Sequence, residues 1–184
     1  MIDSVRAQSY TNWQLCLADG SPNHQVKDFL ERKYKNEKRF TYQKLTKNGG
    51  ISENTNEALK LAKGEYVMLS DHDDVLERNA LYEIVKAINS DEKPDVIYTD
   101  EDKVTMDGKK YFDPHFKPDF NWEMLRCNNY ICHIFVASKK IIDEIGEFRK
   151  EYDGAQDYDF ILRCCENARS IYHIPKAVSY THLT

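Results

Sequence analysis

Long apolar runs are missing from this sequence. No stretch approaches the roughly 18 to 20 residues that a membrane-spanning helix requires, and no secretory signal pattern opens the chain. Basic residues are also in the minority: Lys and Arg total 26 against 31 Asp and Glu, a formal net charge of −5. No Lys/Arg stripe is available to neutralise a phosphate backbone, which excludes nucleic acid as the main partner. An anionic substrate must instead be held locally, by a metal or by helix N-termini. Five cysteines, without a CxxC or a Cys/His spacing, form neither a zinc site nor a disulfide framework and fit a reducing compartment. The Gly49-Gly50 pair lacks both the Walker and the dinucleotide-binding spacing.

What is present suits one globular domain of 184 residues with 41% hydrophobic content, long enough to bury a substantial core. Twelve Tyr, eight Phe and two Trp favour stacking surfaces for sugars or bases and serve core packing equally well.

The most informative stretch is Gly64 to Asp74, an apolar run that ends in three carboxylates. Tyr66 to Leu69 is too short and too continuously apolar for an amphipathic helix and reads as a buried strand of a parallel sheet. Asp71, Asp73 and Asp74 then sit at its carboxyl end, where open α/β sheets place their ligands. Three acids in four residues repel one another, and Mg²⁺ or Mn²⁺, with oxygen ligands, relieves that repulsion. The competing reading is that Asp74 or Asp73 caps the following helix while the other acids are solvated. An EF-hand fails, because Leu76 and Tyr82 stand where the turn glycine and the bidentate acid belong. Asp71-His72-Asp73-Asp74-Val75 also resembles the Asp-x-Asp motif of haloacid-dehalogenase-type phosphatases.

In chain order, Ile2 to Gln8 reads as the tail of a helix and Trp13 to Ala18 as a strand ending at Asp19-Gly20-Ser21. Asp19 is placed to accept from a ribose or base, or simply belongs to an Asp-Gly turn. Val26, Phe29, Leu30 and Tyr34 mark one helix face, and Phe40 to Leu45 is a strand. Ser52 is expected to cap a helix that Gly64 ends. Leu81, Ile84, Val85 and Ile88 define another helix, followed by a strand from Asp95 to Tyr98. Strands separated by helices imply a doubly wound, mostly parallel sheet with helices on both faces.

Asp100-Glu101-Asp102 is expected to close that strand, with Met106 to Lys109 a hairpin turn. Phe112 to Trp122 reads as an aromatic loop, Tyr130 to Val136 as a strand, and Lys139 to Ile145 as a helix capped by Ser138 and stopped by Gly146. Asp157 falls near the first turn of a last helix, whose dipole keeps it ionised. It is either a base for an attacking hydroxyl or, like Asp159, a cap.

Together these stretches resemble family 2 glycosyltransferases with the GT-A, nucleotide-diphosphosugar fold. The matching residues are Ser4-Val5 through Trp13, Asp19-Gly20-Ser21, Asn48 to Ser52 with Asn56, Gly64-Glu65-Tyr66, Asp71 to Asp74, Tyr98 to Lys103, Phe116 to Asp119, and Gly154 to Asp159. They run in family order.

The resemblance implies an α/β GT-A domain over 1–184, with 1–99 as nucleotide-binding half and 100–184 as acceptor-binding half. It implies a metal-dependent, inverting transfer of a sugar from a UDP- or dTDP-sugar to a glycan or lipid-linked acceptor, in surface-polysaccharide synthesis. Asp71, Asp73 and Asp74 would hold Mn²⁺ or Mg²⁺ and Asp157 would be the base. Asp19, Asn48, Asn56, Asp71, Asp100, Glu101, Asp102, Gln156 and Asp159 would contact substrates. The place of action would be the cytoplasm or the inner face of the plasma membrane. The match begins after the family's first strand, and Ser179 to Thr184 lacks the Trp-Arg type ending, so a piece truncated at both ends is expected. A phosphatase and an inactive sugar-nucleotide-binding module are the alternatives.

Overall fold

The computed structural model describes residues 1–105 and 107–183, the side chains of His182 and Leu183 excepted. Its elements in chain order are α1 (Ile2–Arg6), β1 (Leu15–Asp19), α2 (Gln25–Tyr34), β2 (Phe40–Lys44), α3 (Ile51–Lys60), β3 (Tyr66–Leu69), β4 (Val75–Leu76) and α4 (Ala80–Ile88). They continue with β5 (Val96–Thr105), β6 (Tyr111–His115), α5 (Trp122–Cys127), β7 (Phe135–Ser138), α6 (Lys139–Ile145), α7 (Gln156–Asn167) and β8 (Ile171–Leu183). They form two compact units. One contains Met1–Thr11, Glu65–Ile145 and the chain from Ile161 onward, the other Asn12–Gly64 and Gly146–Phe160.

In the first unit a six-stranded sheet runs β3-β7-β5-β8-β4, with β6 added to β5. Its centre is apolar by sequence: Val96, Ile97 and Tyr98 of β5 and Phe135, Val136 and Ala137 of β7 are all buried. Ile84 of α4, Ile141 and Ile142 of α6, and Ile161 of α7 are buried in the same unit. Each such side chain withdrawn from water contributes about 1.5–3 kcal/mol.

The sheet is mixed, and this corrects the mostly parallel expectation. β5 and β8 are parallel, but β7 runs antiparallel to both β3 and β5 and β4 antiparallel to β8. On one edge of β5 the reversal begins with the hairpin that follows it. The turn through Asp107 and Gly108 (φ 69°) reverses the chain into β6, Met106 lying outside the described residues. Since β8 covers one edge of β5 from Val96 to Thr105, β6 and β7 share the other edge, in line and both reversed. Strand β3 pairs antiparallel and is half-buried rather than central.

Other expectations shift locally. Asp100, Glu101 and Asp102 lie within β5, which continues to Thr105. Tyr111–His115 is strand β6, not loop. Residues 130–134 are not strand, because their backbone is held by side chains and Cys132 has φ 39°. The helix capped by Ser138 stands, with Ile141 N donating to Ser138 Oγ at 3.3 Å and Gly146 at φ 81°.

In the second unit β1 and β2 form a parallel pair with Leu15 opposite Phe40 and Asp19 opposite Lys44. Leu30 and Tyr34 of α2 are buried, whereas Val26 and Phe29, expected on the same face, are exposed. Phe148 and Phe160 stack with centroids 4.0 Å apart. Helix α3 starts one residue before Ser52, on Gly50 at φ 95°, a conformation that favours glycine. Ser52 is therefore inside the first turn, where its N and Oγ both donate to Asp153 Oδ1.

Candidate metal and substrate site

The apolar run of β3 ends at Leu69, and the chain then turns back within four residues. Asp74 N donates to the carbonyl of Asp71 at 3.4 Å, which brings the two carboxylates to one side. Asp71 is exposed and Asp74 is 2% exposed. Burial raises the Asp74 carboxyl above its ordinary value, the charges of Asp71 and Asp73 push the same way, and a hydrogen bond with Thr181 and the charge of His133 oppose them.

The third member comes from a distant part of the chain. His133 Nε2 lies 3.5 Å from Asp71 Oδ2, and one ligand atom each from Asp71, Asp74 and His133 lie within 4.8 Å of one another. The imidazole is raised to about 9 by its hydrogen bond with Cys132 and by the charges of Cys132, Asp71 and Asp74, against burial. Two carboxylate oxygens and an imidazole nitrogen converging beside a turn fit a small divalent cation. Asp73 lies in the same turn, exposed, and is not one of the three. His133 was missed in the sequence, although a titratable residue inside the apolar run Tyr130 to Val136 was the available signal.

The segment carrying His133 is tied down from two sides. Glu101 Oε2 accepts from His133 N at 3.2 Å. Lys117, whose side chain is wholly buried, donates through Nζ to the carbonyls of Ile131 at 2.6 Å and His133 at 2.5 Å. Glu101 Oε1 faces His115 Nδ1 at 3.0 Å. Glu101, Asp102, Lys103, Asp113, His115 and Thr181 line a cavity of about 330 Å³. Thr181 thus touches both this cavity and Asp74. Asp100 is buried and points elsewhere, accepting from Lys117 N at 2.9 Å and facing His173 Nε2 at 2.8 Å.

In the second unit the loops Asp19-Gly20-Ser21 and Asn48-Gly49-Gly50 meet. A β-carbon on Gly20 would stand 2.9 Å from Asn54 Nδ2 and 3.3 Å from Asn48 Cα, so a side chain there would displace the Asn54 amide and crowd the Asn48 backbone. Asn48 Oδ1 accepts from Gly50 N and from Asn54 Nδ2. Asp19 is buried and bonded on both oxygens, Oδ1 by Ser21 N and Oγ, Oδ2 by Tyr42 OH at 2.7 Å and Lys44 Nζ at 3.1 Å. Burial alone would raise its carboxyl, but these donors together hold it far below the carboxylate range.

Asn56 is likewise bonded within the unit. Its Nδ2 donates to Phe148 O at 2.9 Å and its Oδ1 accepts from Phe148 N at 2.8 Å. Asp159 is buried in an ion pair with Arg149, and Gln156 Oε1 accepts from Gly154 N at 2.8 Å. Asp157, half-buried, occupies the first turn of α7.

A family model described as glycosyl transferase family 2 matches residues 1–146. The chain belongs to this family. As a family 2 glycosyltransferase it is 43% identical over 181 residues to the uncharacterized protein y4gI of Sinorhizobium fredii, covering 97% of this chain and 20% of that protein. It is 31% identical to the O-antigen biosynthesis protein RfbC of Myxococcus xanthus, over 93% of this chain and 13% of that one. Against a chondroitin synthase of Pasteurella multocida the identity is 26%, over 90% and 17%. The chain therefore spans a fifth or less of the length of these relatives. The crystal structure of S. aureus TarS 1-349 in complex with UDP superposes with a TM-score of 0.77 at 20% identity, over all of this chain and 56% of that one. The fold of this family member is GT-A. Among the described residues, no helix is long and apolar enough to cross a membrane.

Proposed function

We propose that the chain carries the catalytic domain of a metal-dependent, inverting glycosyltransferase that moves a sugar from a nucleotide-diphosphosugar to a hydroxyl of a glycan or lipid-linked acceptor. The observation that carries this reading is the Asp71, Asp74 and His133 cluster at the end of β3 in a family 2 chain. The names of relatives in O-antigen and chondroitin synthesis favour a place in polysaccharide building. The phosphatase alternative loses its support with the family match.

Asp71, Asp74 and His133 would hold Mn²⁺ or Mg²⁺, with Asp73 beside them facing the diphosphate. When bound, the cation neutralises charge on the departing nucleoside diphosphate. Asp157, in the first turn of α7, would accept the acceptor hydroxyl's proton on a carboxylate oxygen as that hydroxyl attacks the anomeric carbon. One attack on one face inverts the anomeric centre. Glu101 and Asp102, lining the cavity beside the cluster, are the groups best suited to acceptor hydroxyls. Asp19 and Asn48 shape the nucleoside-side loops of the second unit, a role for Asp19 through the loop it ties together.

The experiment is a panel of UDP- and dTDP-sugars assayed for release of nucleoside diphosphate with and without Mn²⁺. Turnover of at least one donor that stops when the ion is chelated is expected. Release of inorganic phosphate from simple phosphoesters, with no sugar nucleotide consumed, would overturn the reading.

A further inference from the structure

Lys117 is a buried charged side chain of the first unit that the proposed chemistry leaves unused. Its side chain is fully buried, a rare state for a lysine, which leaves water only when its charge and hydrogen bonds are met inside. They are met here by the carbonyls of Ile131 and His133 and by Glu101 Oε2 at 3.4 Å. The cost of this arrangement appears in the ammonium itself, which burial pushes below its ordinary range even with Glu101 beside it. A core position of that volume would be filled more cheaply by methionine or leucine.

The bonds that Lys117 makes have one direction. Both carbonyls belong to the non-strand segment that carries the imidazole, and Glu101 grips the same segment from the other side through His133 N. This segment lacks the ladder bonds that fix a strand, and Cys132 stands in the left-handed region. Without Lys117, two carbonyls in a buried setting lose their donor, and the segment has no other side-chain ammonium in the bonds described.

We propose that Lys117 is a positioning residue for the metal centre, its buried ammonium clamping the Ile131 and His133 carbonyls so that the His133 imidazole stands against Asp71 and Asp74. The proposal rests on the reading of Asp71, Asp74 and His133 as cation ligands. Supporting groups of this kind orient a ligand and typically change metal affinity by about 10–100-fold when removed.

The test is Mn²⁺ titration followed by electron paramagnetic resonance on the wild type, Lys117→Met, His133→Ala and the double variant, with folding checked by circular dichroism. Lys117→Met, which keeps volume and removes the donors, is expected to lose about tenfold or more in affinity. The double variant should bind no more weakly than His133→Ala alone, since Lys117 acts through that residue. A folded Lys117→Met with wild-type affinity, or losses that add in the double variant, would overturn the inference while leaving the cation site intact. An His133→Ala variant with unchanged affinity would overturn the reading beneath it as well.

A measurement on the unaltered protein covers the case in which Lys117→Met does not fold. Titration with diamagnetic Mg²⁺, read by NMR at the Lys117 ammonium and the His133 imidazole, should move both signals with one midpoint. Movement of His133 with Lys117 fixed would refute the clamp.

Discussion

Asp74 N donates to the carbonyl of Asp71, so two acids three residues apart present their carboxylates to the same point. The buried member, Asp74, carries the consequence: its carboxyl is raised by burial and by neighbouring negative charge. A raised carboxyl weakens the folded state at every pH above the folded value, and the penalty disappears below the unfolded value of about 3.9. In metal-free buffer Asp74→Asn is therefore expected to be more stable than the wild type at pH 7, by about 1 kcal/mol, the size common to point changes. The advantage should vanish near pH 3, and Mn²⁺ should stabilise only the wild type. Urea unfolding at both pH values with and without the ion checks the prediction.

Asp157→Asn removes the proposed base while keeping shape and the helix start. Donor binding should remain within about twofold, and transfer should fall by about 10²–10⁴-fold, the range of general-base catalysis. Transfer at the wild-type rate in a single-turnover assay would remove Asp157 from that role.

Asn56 bonds both backbone groups of Phe148, beside the Phe148 and Phe160 stack. Asn56→Ala leaves a buried N–H and a buried C=O without those partners, so a stability loss of about 2–4 kcal/mol is expected. Mn²⁺ affinity should not change. A substrate contact would give the reverse pattern, a raised donor KM in a protein of wild-type stability.

Asp19 gives the acid sensitivity of the second unit. Its folded carboxyl titrates well below the unfolded value of about 3.9. Its contribution is thus complete above that value and is lost as pH falls toward the folded one. Asp19→Asn is expected to cost about 2 kcal/mol at pH 7, and the gap to wild type should narrow when unfolding is repeated at pH 3.

How far the sequence reached follows from what each feature depends on. The carboxylate turn was legible because an apolar strand and its terminal acids are neighbours in the chain. The capped helix Lys139–Ile145 was legible for the same reason. His133 was not, since its meeting with Asp71 depends on the β5 hairpin that sends β6 and β7 along one edge. The same hairpin reverses β6 on β5, where alternation of strand and helix had suggested parallel neighbours. Lys117 was hidden because a lysine among aromatic and proline residues reads as surface. Asp19 and Asn56 were expected to contact substrates; their bonds to Tyr42, Lys44 and Phe148 were hidden because those partners are set by pairing across the second unit.

The most direct test is calorimetric titration of the chain with UDP, with and without Mn²⁺, alongside Asp74→Ala. The proposed site predicts UDP binding that requires Mn²⁺ and is lost in the variant. UDP binding of equal strength without the ion, or unchanged in Asp74→Ala, would contradict it.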